Sequence, residues 1–179
     1  MERKIEKILL VMILIGAVFS ISMKDYINFL SYLVILSFSL FFLNIINKLG
    51  LSKNYRVIVL IMMWLHIFGR YVSLYNTTYY DKVLHLISPF LITMIVYDYF
   101  KRFKLEYPKT TVFLLVLGML CSFEIYEFLL SSLVGIQMQG VFDNSGAEIM
   151  SPIVDTMIDL ILGAMASMSF LFLKKETKK

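Results

Sequence analysis

The sequence predicts an all-α polytopic membrane bundle of six transmembrane helices, and three observations lead there. With 179 residues, 59% hydrophobic and only 17% charged, the chain is too apolar for an ordinary soluble domain of this size. Its apolar residues are gathered into six blocks, each near the roughly 20 residues that a helix needs to cross a bilayer. Lysine and arginine fall in alternate connectors, the mark of loops that stay in the cytoplasm. A single integral membrane domain over residues 1–179 is therefore expected, with nothing set aside for a soluble module.

The first predicted helix covers about 8–23, after a basic start that contains Arg3, Lys4 and Lys7. A basic start and a short apolar run also fit a secretory signal, with Ser20 and Ser22 as a poor small-residue cleavage site. Lys24 and Asp25 turn the chain into the second helix, about 26–46, whose Ser31, Ser37 and Ser39 are tolerable where membrane helices pack closely. The loop from Lys48 to Arg56 is basic, and its Gly50 is a helix stop. The third helix is expected over about 57–75. Asn76 to Tyr80 is polar and aromatic, as suits a water interface. The fourth helix, about 81–100, carries Pro89 as an expected kink.

A strongly basic loop, Lys101 to Lys109, leads into the fifth helix at about 110–134. The connector from Gly135 to Met150 lacks Lys and Arg, but holds Gln137, Gln139, Asp143, Asn144, Glu148 and three glycines. Asp143, Asn144 and Glu148 are expected to be solvated. Ser151 and Pro152 form an N-cap and first-turn proline that open the sixth helix, about 151–173. Four lysines follow between Lys174 and Lys179. Alternate connectors hold three, three, four and four basic residues, against Lys24, Arg70 and Lys82 on the other side. Both termini are thus expected in the cytoplasm. The lone Cys121 lies in an apolar block, where its ordinary role is packing. The net charge of +4 follows from the loop asymmetry, and no basic soluble face exists to bind nucleic acid.

Ionisable side chains inside apolar segments are expensive and are kept for function or for pairing. Here they recur three or four residues apart, on shared helix faces: His66 with Arg70, Asp81 with His85, Glu124 with Glu127, Asp155 with Asp159. The expected topology puts all eight in the outer half of the membrane. Gly163 and Ser167 continue the Asp155–Asp159 stripe as small residues, so that this face should turn inward. Asp81, Glu124, Glu127, Asp155 and Asp159 outnumber the fixed cations Arg70 and Lys82. Such a set must hold protons or bind a cation, and histidines among carboxylates suit Zn, Mn or Fe better than Mg or Ca. The metal candidates are His66, His85, Glu124, Glu127, Asp155 and Asp159. Glu124, Glu127 and Asp81 are the candidate catalytic acids and bases, while Arg70 and Lys82 would bind substrate.

Plainer roles stand beside these. Asp81 and Asp155 also suit helix N-termini, Arg70 and Lys82 suit interface snorkelling, and either histidine could be a satisfied interior residue. Glu124 and Glu127 are hardest to explain so, because each mid-helix charge costs roughly 2.5–3.5 kcal/mol to insert and neither has a basic neighbour in its own helix.

Asp81-Lys82-x-x-His85, Glu124-x-x-Glu127 and Asp155-x-x-x-Asp159-x-x-x-Gly163-Ala164 together resemble the pattern of VanZ-like membrane proteins. His66-x-x-Gly69 brings the chain closer to the YjdF-like family of uncharacterised multi-pass proteins. The resemblance covers about 64–168. This chain has Glu127 and Asp159 where VanZ-like sequences tend to have Gln and Asn, which makes its site more acidic. The association of VanZ-like proteins with glycopeptide resistance implies envelope chemistry. The leading expectation is a cell-membrane protein whose extracytoplasmic site works as a cation-dependent hydrolase or transferase on a lipid or lipid-linked substrate, with a divalent Zn, Mn or Fe ion. The alternatives are a proton- or ion-coupled transporter and a non-catalytic membrane adaptor.

Overall fold

The computed structural model describes residues 7–8, 10–16, 18, 26–72, 74–104, 108–135, 138–143 and 145–174. The readings made above for Ser20, Ser22, Lys24, Asp25, Gln137, Asn144 and the lysines after Lys174 lie outside them, as does the Arg70 side chain. The chain divides into two compact units, Met1–Val72 and Ser73–Lys179.

In the first unit, residues 10–16 are helical (α1), followed by α2, Tyr26–Lys48, and α3, Lys53–Tyr71. Ile13, Tyr32 and Ile67 are buried against one another with Leu36 beside them, one residue or more from each helix. A Cβ on Gly16 would stand 3.1 Å from the Tyr32 ring, so glycine is what lets α1 approach α2 there. Gly50 closes α2 in a left-handed turn (φ 57°). The Leu51 amide then donates to the Ile46 carbonyl at 3.1 Å, which satisfies one of the orphan acceptors at a helix end.

α3 begins four residues earlier than expected and stops earlier too. Lys53 to Arg56, read as loop because of their charge, form its first turn. Charge marks which residues face water, and a helix end can do that as well as a loop.

The second unit begins with a short 3₁₀ turn, Leu74–Asn76. α4, Thr78–Arg102, runs through Pro89 as one helix. α5, Lys109–Leu129, continues as a π-helical turn over Leu130–Val134, and Gly135 (φ 72°) ends it. α6 is Pro152–Leu173, with Ser151 at the N-cap position and proline at its start. Pairs along the seam fix the directions. Pro89 and Leu120 both lie against Gly163, and Thr93 meets Ser167. Residue numbers on α4 and α6 rise together along the seam, so these two helices run parallel, with α5 antiparallel beside them.

The connector differs from its expectation in one respect. The 135–150 connector was expected as loop, but Val141–Phe142 (β1) and Glu148–Met150 (β2) pair antiparallel. Asp143 builds the turn between them: one carboxylate oxygen accepts the Ser145 amide at 2.8 Å, the Ser145 hydroxyl at 2.6 Å and the Ala147 amide at 2.9 Å. This local bonding substitutes for an apolar pattern, which is why hydrophobic periodicity gives no sign of it.

Among the described residues, α4, α5 with its π turn, and α6 are long and apolar enough to cross a membrane, and Asn54–Gly69 is a shorter apolar helix. The second unit is apolar outside and charged inside. Leu114, Leu115, Ile125 and Phe128 of α5 are exposed, whereas Glu124 and Glu127 on the same helix are buried. That inversion is what lipid as a solvent demands. Serines in the helices answer their own polarity: the Ser37, Ser122 and Ser169 hydroxyls each donate to the carbonyl four residues back, at 2.8 Å.

Candidate functional site

At the end of the second unit where α4 and α6 begin and α5 finishes, seven ionisable side chains from three helices come together. The centre is Lys82. Its ammonium donates to Asp81 Oδ2 at 3.1 Å and Asp159 Oδ2 at 2.7 Å, and also to Asp155 Oδ1. Three donors meet three aspartates, so every N–H of the ammonium is engaged. Lys82 was a candidate for substrate binding; in this arrangement it is occupied instead in joining α4 to α6.

His85 lies one turn further into α4. Its Nε2 is 3.6 Å from Asp81 Oδ1, the distance that an i,i+4 spacing makes available. Its Nδ1 is 3.8 Å from Glu124 Oε1 and 3.9 Å from Asp159 Oδ1. The ring is thus flanked by carboxylates at both nitrogens. His85, Glu124, Glu127, Asp155 and Asp159 are all buried. Glu127 sits one turn beyond Glu124, within electrostatic reach of Glu124, Asp81, Asp159 and Asp155.

Two buried carboxylate oxygens, Asp159 Oδ1 and Glu124 Oε2, have no hydrogen-bond partner among the described residues. Asp155 is fully engaged by contrast, with Oδ1 on Lys82 and Oδ2 accepting the Gly140 amide at 2.8 Å. Asp81, His85 and Asp159 each offer one ligand atom within 4.8 Å of the other two.

The connector supplies residues that spacing rules do not reach. Gly140 N–H binds Asp155, and the Gln139 amide donates to the Thr156 hydroxyl at 2.9 Å and the Glu124 carbonyl at 3.4 Å. Gly140 has φ 78°, and a Cβ there would stand 3.0 Å from the Phe142 ring and 3.1 Å from the Met150 carbonyl. Only glycine fits comfortably. The clue in the sequence is a connector without basic residues that keeps three glycines and several polar amides. At its outer turn, Asp143 has its carboxyl held below the usual aspartate value by the Ser145 hydroxyl first and the Ala147 amide next.

Beyond the charged cluster the α4–α6 seam passes an apolar level, where Pro89 and Leu120 lie against Gly163, then a buried hydroxyl pair, and then closes. The Thr93 hydroxyl donates to the Pro89 carbonyl at 2.6 Å and accepts from the Ser167 hydroxyl at 2.9 Å. Further along, Phe170 packs edge-on against Phe90 and Tyr97, with ring centroids 5.3 and 5.8 Å apart.

His66 lies half-buried on α3 in the first unit, on the same helix as Arg70. Asp81, Lys82, His85, Glu124, Glu127, Asp155 and Asp159 are the members of the expected set that the second unit brings together.

Residues 5–176 match the family model described as Predicted membrane protein (DUF2238). No curated protein and no solved structure shows a significant match to the chain.

Proposed function

We propose, for a chain that belongs to the family Predicted membrane protein (DUF2238), that six helices cross the membrane with both termini in the cytoplasm and that the α4–α6 cluster is an extracytoplasmic site for a lipid or lipid-linked substrate. The reaction class is hydrolysis or group transfer. The observation that carries this reading is the one-sidedness of the polar interior. Charged groups fill one end of the α4–α5–α6 unit, a hairpin bonds onto them through Gly140, and the far end of the seam is closed by Phe90, Tyr97 and Phe170. A polar site confined to one end of the unit suits chemistry on a membrane-bound substrate.

Depth supports the same class of substrate. Asp81 and Asp159 are the fourth and eighth residues of their helices, so the cluster spans about the first 10 Å of helix. That is where lipid headgroups meet the hydrocarbon. Glu124 and Glu127, acidic groups in a site of restricted water, are the residues to exchange protons with substrate. A divalent transition-metal ion held at His85, Asp81 and Asp159 would supply a water activated at neutral pH. Lys82 orders the aspartates. The VanZ-like order of motifs over 64–168 agrees with work on envelope components.

A transporter reading draws on the Thr93–Ser167 hydroxyl pair, which extends the polar line inward. That line ends at the Phe170 aromatic cluster, and the enzyme reading is preferred for this reason. The deciding experiment reconstitutes the full chain in proteoliposomes and offers lipid phosphates and lipid-linked phosphates with Zn²⁺, Mn²⁺ or Fe²⁺. Turnover that is lost in Glu124→Gln and Asp159→Asn is expected. Proton or ion flux without turnover would replace the enzyme reading with the transporter.

A further inference from the structure

The geometry points to a divalent transition-metal site made by the His85 imidazole, Asp81 Oδ1 and Asp159 Oδ1, with Glu124 beside the histidine ring. It rests on the reading of this cluster as the working site, and it names the ion's ligands.

The first support is an orphan. Asp159 is 2% exposed, and its Oδ1 has no hydrogen-bond partner among the described residues although it faces the His85 ring. A buried, unsatisfied carboxylate oxygen is costly, and a cation is the partner that would relieve it. Lys82 explains which oxygens are left over. It takes Oδ2 of both Asp81 and Asp159, leaving Oδ1 of each on the His85 side.

Charge gives the second support. Asp81, Asp155 and Asp159 surround one ammonium, so as ionised groups they leave two negative charges. One divalent ion neutralises them.

The third support is the arrangement around the ring. A metal-bound imidazole usually points its other nitrogen at a carboxylate, which fixes the ring and strengthens the ligand. Here Nε2 faces Asp81 Oδ1 at 3.6 Å, while Nδ1 faces both Glu124 Oε1 at 3.8 Å and Asp159 Oδ1 at 3.9 Å, so a carboxylate stands at whichever nitrogen is not the ligand. Asp155 is no ligand, because both its oxygens are committed to Lys82 and Gly140. The three ligand atoms lie within 4.8 Å of one another, while bonds of about 2.0–2.1 Å in a tetrahedral site put ligands about 3.3 Å apart. Rotation of the two aspartate side chains closes that gap. One nitrogen and two carboxylate oxygens with open positions favour Mn²⁺, Fe²⁺ or Zn²⁺ over Ca²⁺ or Mg²⁺.

The test uses Mn²⁺ alone as probe on the full-length protein in detergent, read by electron paramagnetic resonance. Wild type should bind about one Mn²⁺ per chain and show coupling to an imidazole nitrogen. Asp159→Asn and His85→Gln should each weaken binding at least about tenfold, and His85→Gln should abolish the nitrogen coupling. Asp143→Asn, on the hairpin turn outside the cluster, should bind within about threefold of wild type. Absence of stoichiometric Mn²⁺, or bound Mn²⁺ without nitrogen coupling, overturns the site using wild-type protein alone, whatever the variants' folding. The outcome is separable from the functional reading: an ion bound as described with no lipid turnover sinks the enzyme, while turnover that survives chelation with no ion bound sinks the site.

Discussion

Replacing Lys82 by methionine tests whether the cluster is held together as described. Lys82 and Met are similar in length and both cover apolar surface, so the substitution removes the charge and keeps most of the packing. In the folded protein the side chains of Lys82, Asp155 and Asp159 are only 13%, 6% and 1% exposed. Water cannot take over when the ammonium is gone. Removing one partner of a buried ion pair costs about 3–5 kcal/mol, because it strands the other charge, and the expectation for Lys82→Met is in that range. The measurement is denaturant-titrated unfolding in detergent micelles, with helicity and tryptophan fluorescence followed together. Adding Asp155→Asn and Asp159→Asn to Lys82→Met should recover most of the loss, since taking away both sides of a buried pair is often near neutral. The stability difference should also change little with added salt, unlike that of an exposed pair. A Lys82→Met protein within about 0.5 kcal/mol of wild type, the range of an ordinary surface substitution, would refute the reasoning.

Other outcomes follow from the same structure. A Cβ at Gly163 would fall 2.5 Å from Leu120 Cδ1 and 3.2 Å from Pro89 Cγ, so Gly163→Ala should destabilise by about 1–3 kcal/mol through overpacking. Adding Leu120→Ala should return part of that in a double-mutant cycle. Gly140→Ala, at φ 78°, should cost about 1–3 kcal/mol and increase hydrogen exchange at the residue 140 amide, which is bonded to Asp155. Thr93→Val with Ser167→Ala should be closer to neutral than Thr93→Val alone, which should cost about 0.5–1.5 kcal/mol. Asp143 has a folded pKa below its ordinary value of 3.8. The turn stability it provides is therefore complete above that value and lost as pH falls through the lowered one. Amide shifts of Ser145 and Ala147 followed from pH 6 to pH 2 should show one titration below 3.8, absent in Asp143→Asn.

What the sequence discloses here is local. Asp81 and His85 lie 3.6 Å apart because four residues make a helical turn. Gly163 looked like a close-approach residue from its place on the Asp155–Asp159 stripe, and it does lie against Leu120 and Pro89. α6 opens with Ser151 at the N-cap position and Pro152 at its start, as their order in the sequence suggests, although the Ser151 side chain makes no capping hydrogen bond. The partners of Lys82 are different. Asp155 and Asp159 stand 73 and 77 positions away, and no spacing rule within one helix reaches so far. The lysine could equally have snorkelled to water, and tertiary packing decided otherwise. The hairpin escaped for a related reason, since its turn rests on one Asp143 oxygen and its docking on a glycine amide rather than on an apolar stripe.

The central claim is that this cluster serves one face of the membrane, the extracytoplasmic one. Glu148 is exposed on the hairpin that bonds to the site, and Cys121 is the chain's single cysteine. Glu148→Cys in a Cys121→Ser background therefore gives one reporter thiol beside the cluster. Treated with a membrane-impermeant maleimide, intact cells expressing this protein should show full labelling, unchanged by permeabilisation. Labelling that appears only after permeabilisation would put the hairpin and its site in the cytoplasm and contradict the account.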